Sequence, residues 1–163
     1  VEIDMRTGRA TAKSPNVNSI LEYYGLRIDQ NIIEDWGKGV VQGMRTLRGV
    51  VASRNPFIIE VTDLSRESVI TKSLPRLLAL FASSVSTTDK ATTGSTEVLA
   101  RTSNLSKKQE QFFVLEQDKV RPPARNENTT PFNIAMSVKG ELKSRFAEVD
   151  PPALTLSASG GGC

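Results

Sequence analysis

Alternating apolar and polar residues mark the strands of this chain. Val1–Met5 alternates apolar with acidic side chains, and Phe132–Gly140 keeps the same two-residue period over a longer stretch. That period is typical of a strand with one buried face. Further strands are predicted by apolar, β-branched runs over Val40–Arg45, Leu47–Ala52, Phe57–Val61 and Glu97–Ser103.

Helical signals are few. Ser14 and Pro15 have the order of an N-cap and a first helical turn, and the apolar residues after them fall on one helical face. The pattern predicts a helix over Asn16–Tyr24 that ends at Gly25. Residues 107–117 fit either a helix or an irregular surface element, and both interpretations stay open.

Longer stretches predict the domain organisation. Nearly every position of Leu74–Phe81 is apolar, which predicts a buried segment. Ser83–Ser95 and Lys119–Pro131 are polar and aperiodic, so we expect mobile surface loops there. The 163 residues suit a single domain, predicted over residues 1–150, followed by a flexible tail over residues 151–163 that is rich in Ala, Ser and Gly.

Two absences exclude much of enzyme chemistry. The chain has no histidine, which removes Ser-His-Asp and Cys-His catalysis and histidine-based metal sites. The single cysteine, Cys163, follows three glycines, where no fixed neighbour can activate its thiol. We therefore predict no catalytic residues, no metal site and no cofactor. The longest apolar runs are also far shorter than the roughly 20 residues that span a bilayer.

Three carboxylates stand at the ends of apolar segments: Glu34, Asp35 and Asp63. Paired acids can perform general acid/base chemistry when burial separates their pKa values. One hypothesis is therefore a fragment of an α/β enzyme that processes sugars or nucleotides. Capping of turns and loop solvation is the alternative role for the same side chains.

The basic residues give a weaker signal. The net charge of +3 comes from 21 Lys and Arg against 18 Asp and Glu, and the excess is spread along the chain. Arg45, Arg48 and Arg54 could line one β face and contact phosphates, yet no Tyr or Phe lies among them to stack on bases. A solvated strand face is favoured, and no nucleic-acid partner is predicted.

The carboxyl end of one predicted strand is the best candidate for recognition. Arg101, Thr102 and Ser103 offer one cation and two hydroxyls there. In open α/β sheets, ligands bind outside the carboxyl ends of the strands. The candidate binding residues are these three together with Asp35. A structural role, with Arg101 paired to an acid and the hydroxyls capping a turn, is the competing interpretation.

Four segments in order resemble one protein family. They are Ile20–Ile28 (ILEYYGLRI) with Ile32–Asp35, Val69–Val85, Val98–Ser103, and Pro131–Phe146. Together they resemble the gliding-motility-type auxiliary components of ABC transporters.

This resemblance implies an extracytoplasmic, periplasmic domain of a membrane-anchored bacterial protein, with the ABC permease and ATPase subunits as partners. It implies a non-enzymatic role in binding a ligand or a partner. The implied fold is an α/β, Rossmann-like domain, similar to glutamine amidotransferases, with a mixed sheet. Family strands expected before Val1 and after about Leu156 are missing, so we expect a fragment truncated at both ends, with membrane segments outside it. A strand edge left unpaired in this way would favour a homodimer.

Overall fold

The computed structural model describes residues 2–4, 9–11, 16–47, 49–89 and 94–147. Its regular structure is mostly β. The strands are β1 (Glu2–Asp4), β2 (Arg9–Thr11), β3 (Leu26–Ile28), β4 (Asn31–Asp35), β5 (Gly39–Thr46), β6 (Gly49–Val61), β7 (Asp63–Leu64), β8 (Leu77–Leu80), β9 (Val85–Thr87), β10 (Ser95–Arg101), β11 (Ser106–Glu110), β12 (Phe112–Phe113) and β13 (Asn133–Lys139).

The predicted helix forms in a shorter version. Helix α1 (Asn18–Leu21) continues as a 3-10 turn over Glu22–Tyr24. The 3-10 turn ends at Gly25, whose φ of 81° lies in the left-handed region that favours glycine. The predicted end of the helix is confirmed, whereas its predicted start at Ser14 and Pro15 lies outside the described residues.

Every strand pair among the described residues is antiparallel. β6 lies between β5 and β8, β10 lies between β13 and β7, and β2 lies between β1 and β12. β4 pairs with β11, and β3 pairs with β9. The expectation of an α/β, Rossmann-like fold with a mixed sheet is therefore wrong.

The correction has a physical reason in the connections between strands. Neighbouring parallel strands need a crossover of a dozen or more residues, usually a helix. Here the one α-helix of the described chain has 4 residues, and β5 turns directly into β6 around Leu47. The apolar runs themselves predicted several strands, and the α/β assignment came from the family resemblance.

The core is organised around β4, all of whose residues are buried. Successive side chains of a strand point to opposite faces, so Ile32 and Ile33 enter two different clusters. Ile32 packs with Phe57, Phe113 and Val120. Ile33 packs with the second cluster, which consists of Ile59, Val61, Leu64 and Ala100.

The apolar segment Leu74–Phe81 is not buried, which contradicts its prediction. Its strand β8 is the outer strand of a three-stranded sheet, and only one of its two faces packs against the core. Ala79 packs against the core, while Leu78 and Leu80 on the opposite face are 54% and 58% exposed. A run of apolar residues specifies burial only if the fold places elements on both sides.

Several predicted loops and ambiguous segments are now assigned. Residues 107–117, for which a helix was one alternative, contain most of β11 and all of β12. Ser83–Ser95 was predicted to be a loop throughout, but it includes β9, which pairs with β3. The described chain ends at residue 147, so the domain boundary at residue 150 and the tail over residues 151–163 lie outside it.

None of the helices in the described part of the chain has the length and apolar character needed to cross a membrane.

Candidate functional site

Asp35 ends β4 with a fully buried carboxylate. Its Oδ1 accepts hydrogen bonds from the amides of Gly37 (2.9 Å) and Lys38 (2.8 Å) and from the hydroxyl of Ser103 (2.6 Å). Its Oδ2 accepts a hydrogen bond from the Ser103 amide at 2.7 Å. The carboxylate thus fixes the turn after β4 and joins it to the chain that leaves β10.

The two hydroxyls predicted for recognition are engaged within the protein. Thr102 is buried, and its Oγ1 accepts a hydrogen bond from the Phe132 amide at 2.8 Å. Ser103 binds Asp35 and also accepts a hydrogen bond from the Leu105 amide at 3.1 Å. A Cβ at residue 37 would collide with the Ser103 side chain, so Gly37 permits this close approach. Asp35, Thr102 and Ser103 therefore have clear structural partners.

Arg101 differs from the other three candidates because it is exposed. Its Nε donates a hydrogen bond to Asn133 Oδ1 at 3.2 Å, and it faces Asp63 in the β7–β10 ladder. Arg101 and Asp63 line an open cavity of about 320 Å³ beside that ladder. The remaining lining residues are Leu64, Ser65, Arg66, Glu67, Val98, Leu99 and Ala100.

A short polar chain runs beside this cavity. Ser65 Oγ donates a hydrogen bond to Glu97 Oε1 at 3.0 Å, and Lys139 forms an ion pair with Glu97. The hydrogen bond from Lys139 lowers the pKa of Glu97, burial opposes this shift, and the Ser65 hydroxyl adds to the lowering. Glu97 is thus held in the ionised form and serves to join β10 to β13.

Glu34 is also buried, on the other face of β4. Its carboxylate accepts hydrogen bonds from Trp36 Nε1 at 2.9 Å and from Gln109 Nε2 at 2.6 Å. Lys107 Nζ lies 3.6 Å from its Oε2. These contacts fasten β4 to β11, with which it pairs.

The three candidate carboxylates lie in three different environments. Glu34 and Asp35 point to opposite faces of one strand, and Asp63 lines the open cavity. Within the described ranges, no group of three or more acidic or cysteine side chains is arranged to hold a metal ion. The hypothesis of an acid/base enzyme stays a prediction, and this geometry does not add to it.

Two of the three candidate arginines share a face, as predicted. In the β5–β6 hairpin, Arg54 pairs with Val41 and Arg45 pairs with Val50. Paired residues lie on the same face of the sheet, and so do residues four positions apart on one strand, so both arginines share a face. Arg54 Nη1 donates a hydrogen bond to the Gly39 carbonyl at 2.6 Å. Arg48 lies outside the described residues.

Two exposed apolar surfaces were missed by reasoning from the sequence. The outer face of β8 carries Leu78 and Leu80, and the tip of the β5–β6 hairpin carries Leu47, Val50 and Val51, all more than half exposed. The signal that could have found the tip is the Leu-Arg-Gly sequence between two aliphatic runs, which suits an exposed hairpin turn.

Replacing Arg101 by alanine tests its role directly. Because its hydrogen bond to Asn133 is exposed, we expect R101A to change the melting temperature by less than about 2 °C. T102V is the matched control: it keeps the shape but leaves the buried Phe132 amide without an acceptor, which costs about 1–3 kcal/mol. Thermal unfolding followed by circular dichroism measures both. A loss of several degrees in R101A would assign it a structural role.

Comparison with known proteins gives one result. A family model described as an ABC-type uncharacterized transport system matches residues 1–161, almost the entire chain. The chain matches no curated protein and no solved structure.

Proposed function

The chain belongs to the ABC-type uncharacterized transport system family, and we propose that within such a system it is a non-enzymatic domain that binds the permease subunit. Membership of the family makes it an auxiliary component of an ABC transport system. The order of the four segments described above favours the gliding-motility type within this class. It also favours a periplasmic location in a membrane-anchored protein. From the periplasm the domain can contact the permease directly, whereas it can act on the cytoplasmic ATPase only through the permease.

The observation that carries the proposal is the outer face of β8. Leu78 and Leu80 project from an outer strand, and Leu77 on the other face is 37% exposed as well. An apolar outer strand offers both side chains and backbone groups to a partner strand. Arg76 and Glu60 form an ion pair of 2.7 Å beside it, which gives the apolar face a polar border of the kind that interfaces have.

A second copy of the chain is the alternative occupant of β8. An outer strand can pair with its own copy about a two-fold axis, which would also give a homodimer. Light scattering on the purified chain distinguishes the permease from a second copy as the partner of β8. Only self-pairing gives a dimer of the purified chain that dissociates in a β8 variant.

The test uses the native protein in its own membrane. A membrane-impermeant, lysine-reactive cross-linker is added to sealed spheroplasts, and the tagged protein is purified and probed for the permease. We expect a cross-link to the permease that is lost in the double variant L78Q/L80Q, which adds no reactive amine. L105Q is the matched control, because Leu105 is 54% exposed, equal to Leu78, but lies on the loop before β11.

The outcomes separate the parts of the proposal. A permease cross-link that forms only after lysis contradicts the periplasmic location and leaves the docking intact. The same cross-link in wild type, L78Q/L80Q and L105Q would show that β8 is not the docking strand. If no permease cross-link forms under either condition, the proposed function is wrong.

A further inference from the structure

The β5–β6 hairpin extends beyond the body of the protein as an arm, defined here as residues 41–53. Its residues are exposed on both faces from Val41 to Gly43 and from Val50 to Ala52. The strands run roughly 15 Å from Gln42 to the tip at the usual rise per residue. The hydrogen bond of 2.7 Å from Gln117 to Ser53 marks the base, where the arm leaves the body.

The tip of the arm is aliphatic. Leu47 is exposed to the full extent of its side chain, and Val50 and Val51 beside it are 72% and 53% exposed. Isolated exposed aliphatic residues are common on protein surfaces. Three of them at the end of a projecting hairpin form an apolar point rather than a flat patch. Such a shape suits a deformable surface, which can enclose the tip, better than a rigid flat one.

All the charged side chains of this region are basic. From Trp36 to Ile59 the sequence has four basic residues, Lys38, Arg45, Arg48 and Arg54, and no acidic residue. Arg45 and Arg54 lie on the same face as Val41 and Val50. The Arg54 guanidinium donates a hydrogen bond to the Gly39 carbonyl at the base. Arg45 lies near the tip, and its methylene stem can lie along apolar surface while its guanidinium group reaches a phosphate.

We propose that the arm is a membrane-surface anchor that inserts Leu47 and its neighbours between the headgroups of an anionic bilayer. An apolar tip that enters the interface by about 5–10 Å, with a basic side chain such as Arg45 behind it at headgroup level, is the arrangement of interfacial membrane segments. A protein partner is disfavoured because the arm has no aromatic residue, and aromatic anchors dominate protein interfaces. The proposal does not depend on the docking of β8.

The first experiment measures binding of the chain to vesicles. We expect sedimentation with phosphatidylcholine vesicles that contain phosphatidylglycerol and much weaker sedimentation with phosphatidylcholine alone. R45Q should weaken binding about fivefold, the usual effect of one basic residue at a charged membrane. L47S should weaken it by a similar or larger factor. L78Q/L80Q, which adds no charge, serves as the control that leaves vesicle binding unchanged, so the outcome is independent of the proposed permease contact.

The second experiment locates the tip in the bilayer. Fluorescence of the L47W indole should be quenched by brominated lipid, whereas the native Trp36, which packs against the core, and the indole of the control variant L105W should not. Equal vesicle binding by wild type, R45Q and L47S would overturn the proposal. So would absent quenching in L47W. If no vesicle is bound and R45Q instead abolishes the permease cross-link, the arm contacts an acidic protein surface and the membrane proposal is wrong.

Discussion

Replacing Asp35 by alanine is expected to lower the free energy of unfolding by about 3–5 kcal/mol. The carboxylate is fully buried and accepts four hydrogen bonds. D35A leaves the amides of Gly37, Lys38 and Ser103 without acceptors and adds a small cavity. For a domain of this size the change corresponds to a fall of about 10 °C in melting temperature.

D35N is the control that separates hydrogen bonding from shape. The asparagine carbonyl can replace Oδ1, which accepts three of the four hydrogen bonds. Its amide nitrogen would face the Ser103 amide, which now approaches Oδ2, so one donor meets another. We expect a loss of about 1–3 kcal/mol, clearly smaller than in D35A. Urea unfolding of both variants measures the difference, and a D35A variant as stable as wild type would contradict the structural role of Asp35.

Replacing Phe57 by alanine is expected to cost about 3–5 kcal/mol, because the side chain is buried in a core and the site cannot collapse completely. Phe57 is 1% exposed and packs in the cluster with Ile32, Phe113 and Val120. Its ring also stacks on that of Phe81, with 5.7 Å between the ring centroids. F57A therefore removes one member of the cluster and the ring contact with Phe81, which directly follows β8.

Phe112 provides the matched control for this prediction. It carries the same side chain but is 83% exposed at the start of β12. F112A should change stability by less than about 0.5 kcal/mol, the usual range for surface substitutions. Chemical unfolding of the two variants under the same conditions compares them. Equal losses in F57A and F112A would mean that the cluster around Ile32 does not form the core.

Part of the candidate site was accessible to reasoning from the sequence. Arg101, Thr102 and Ser103 do form the end of a strand and the turn after it. The proximity of Asp35 to Ser103, by contrast, follows from no local pattern, because the two residues are 68 positions apart. Their contact depends on how β4 and β10 are brought together. The same applies to the cavity shared by Arg101 and Asp63, which exists only because β7 pairs with β10.

The sequence by itself determined the local structure of this protein: the two-residue period of β13, the strand at Phe57–Val61, and the end of the helix at Gly25. These follow from side-chain alternation and from backbone preferences that act over a few residues. Its ordered segments also indicated an ABC transporter auxiliary component, the class that the family match supports.

Only the tertiary structure decided which strands pair and what covers them. A two-residue period states that one face is apolar but names neither the partner strand nor its direction. For that reason the order of the strands in the antiparallel sheets was not predicted, and the apolar strand β8 was expected in the core although it lies at a sheet edge with Leu78 and Leu80 exposed. Burial depends on contacts between residues far apart in the chain, which local composition does not specify.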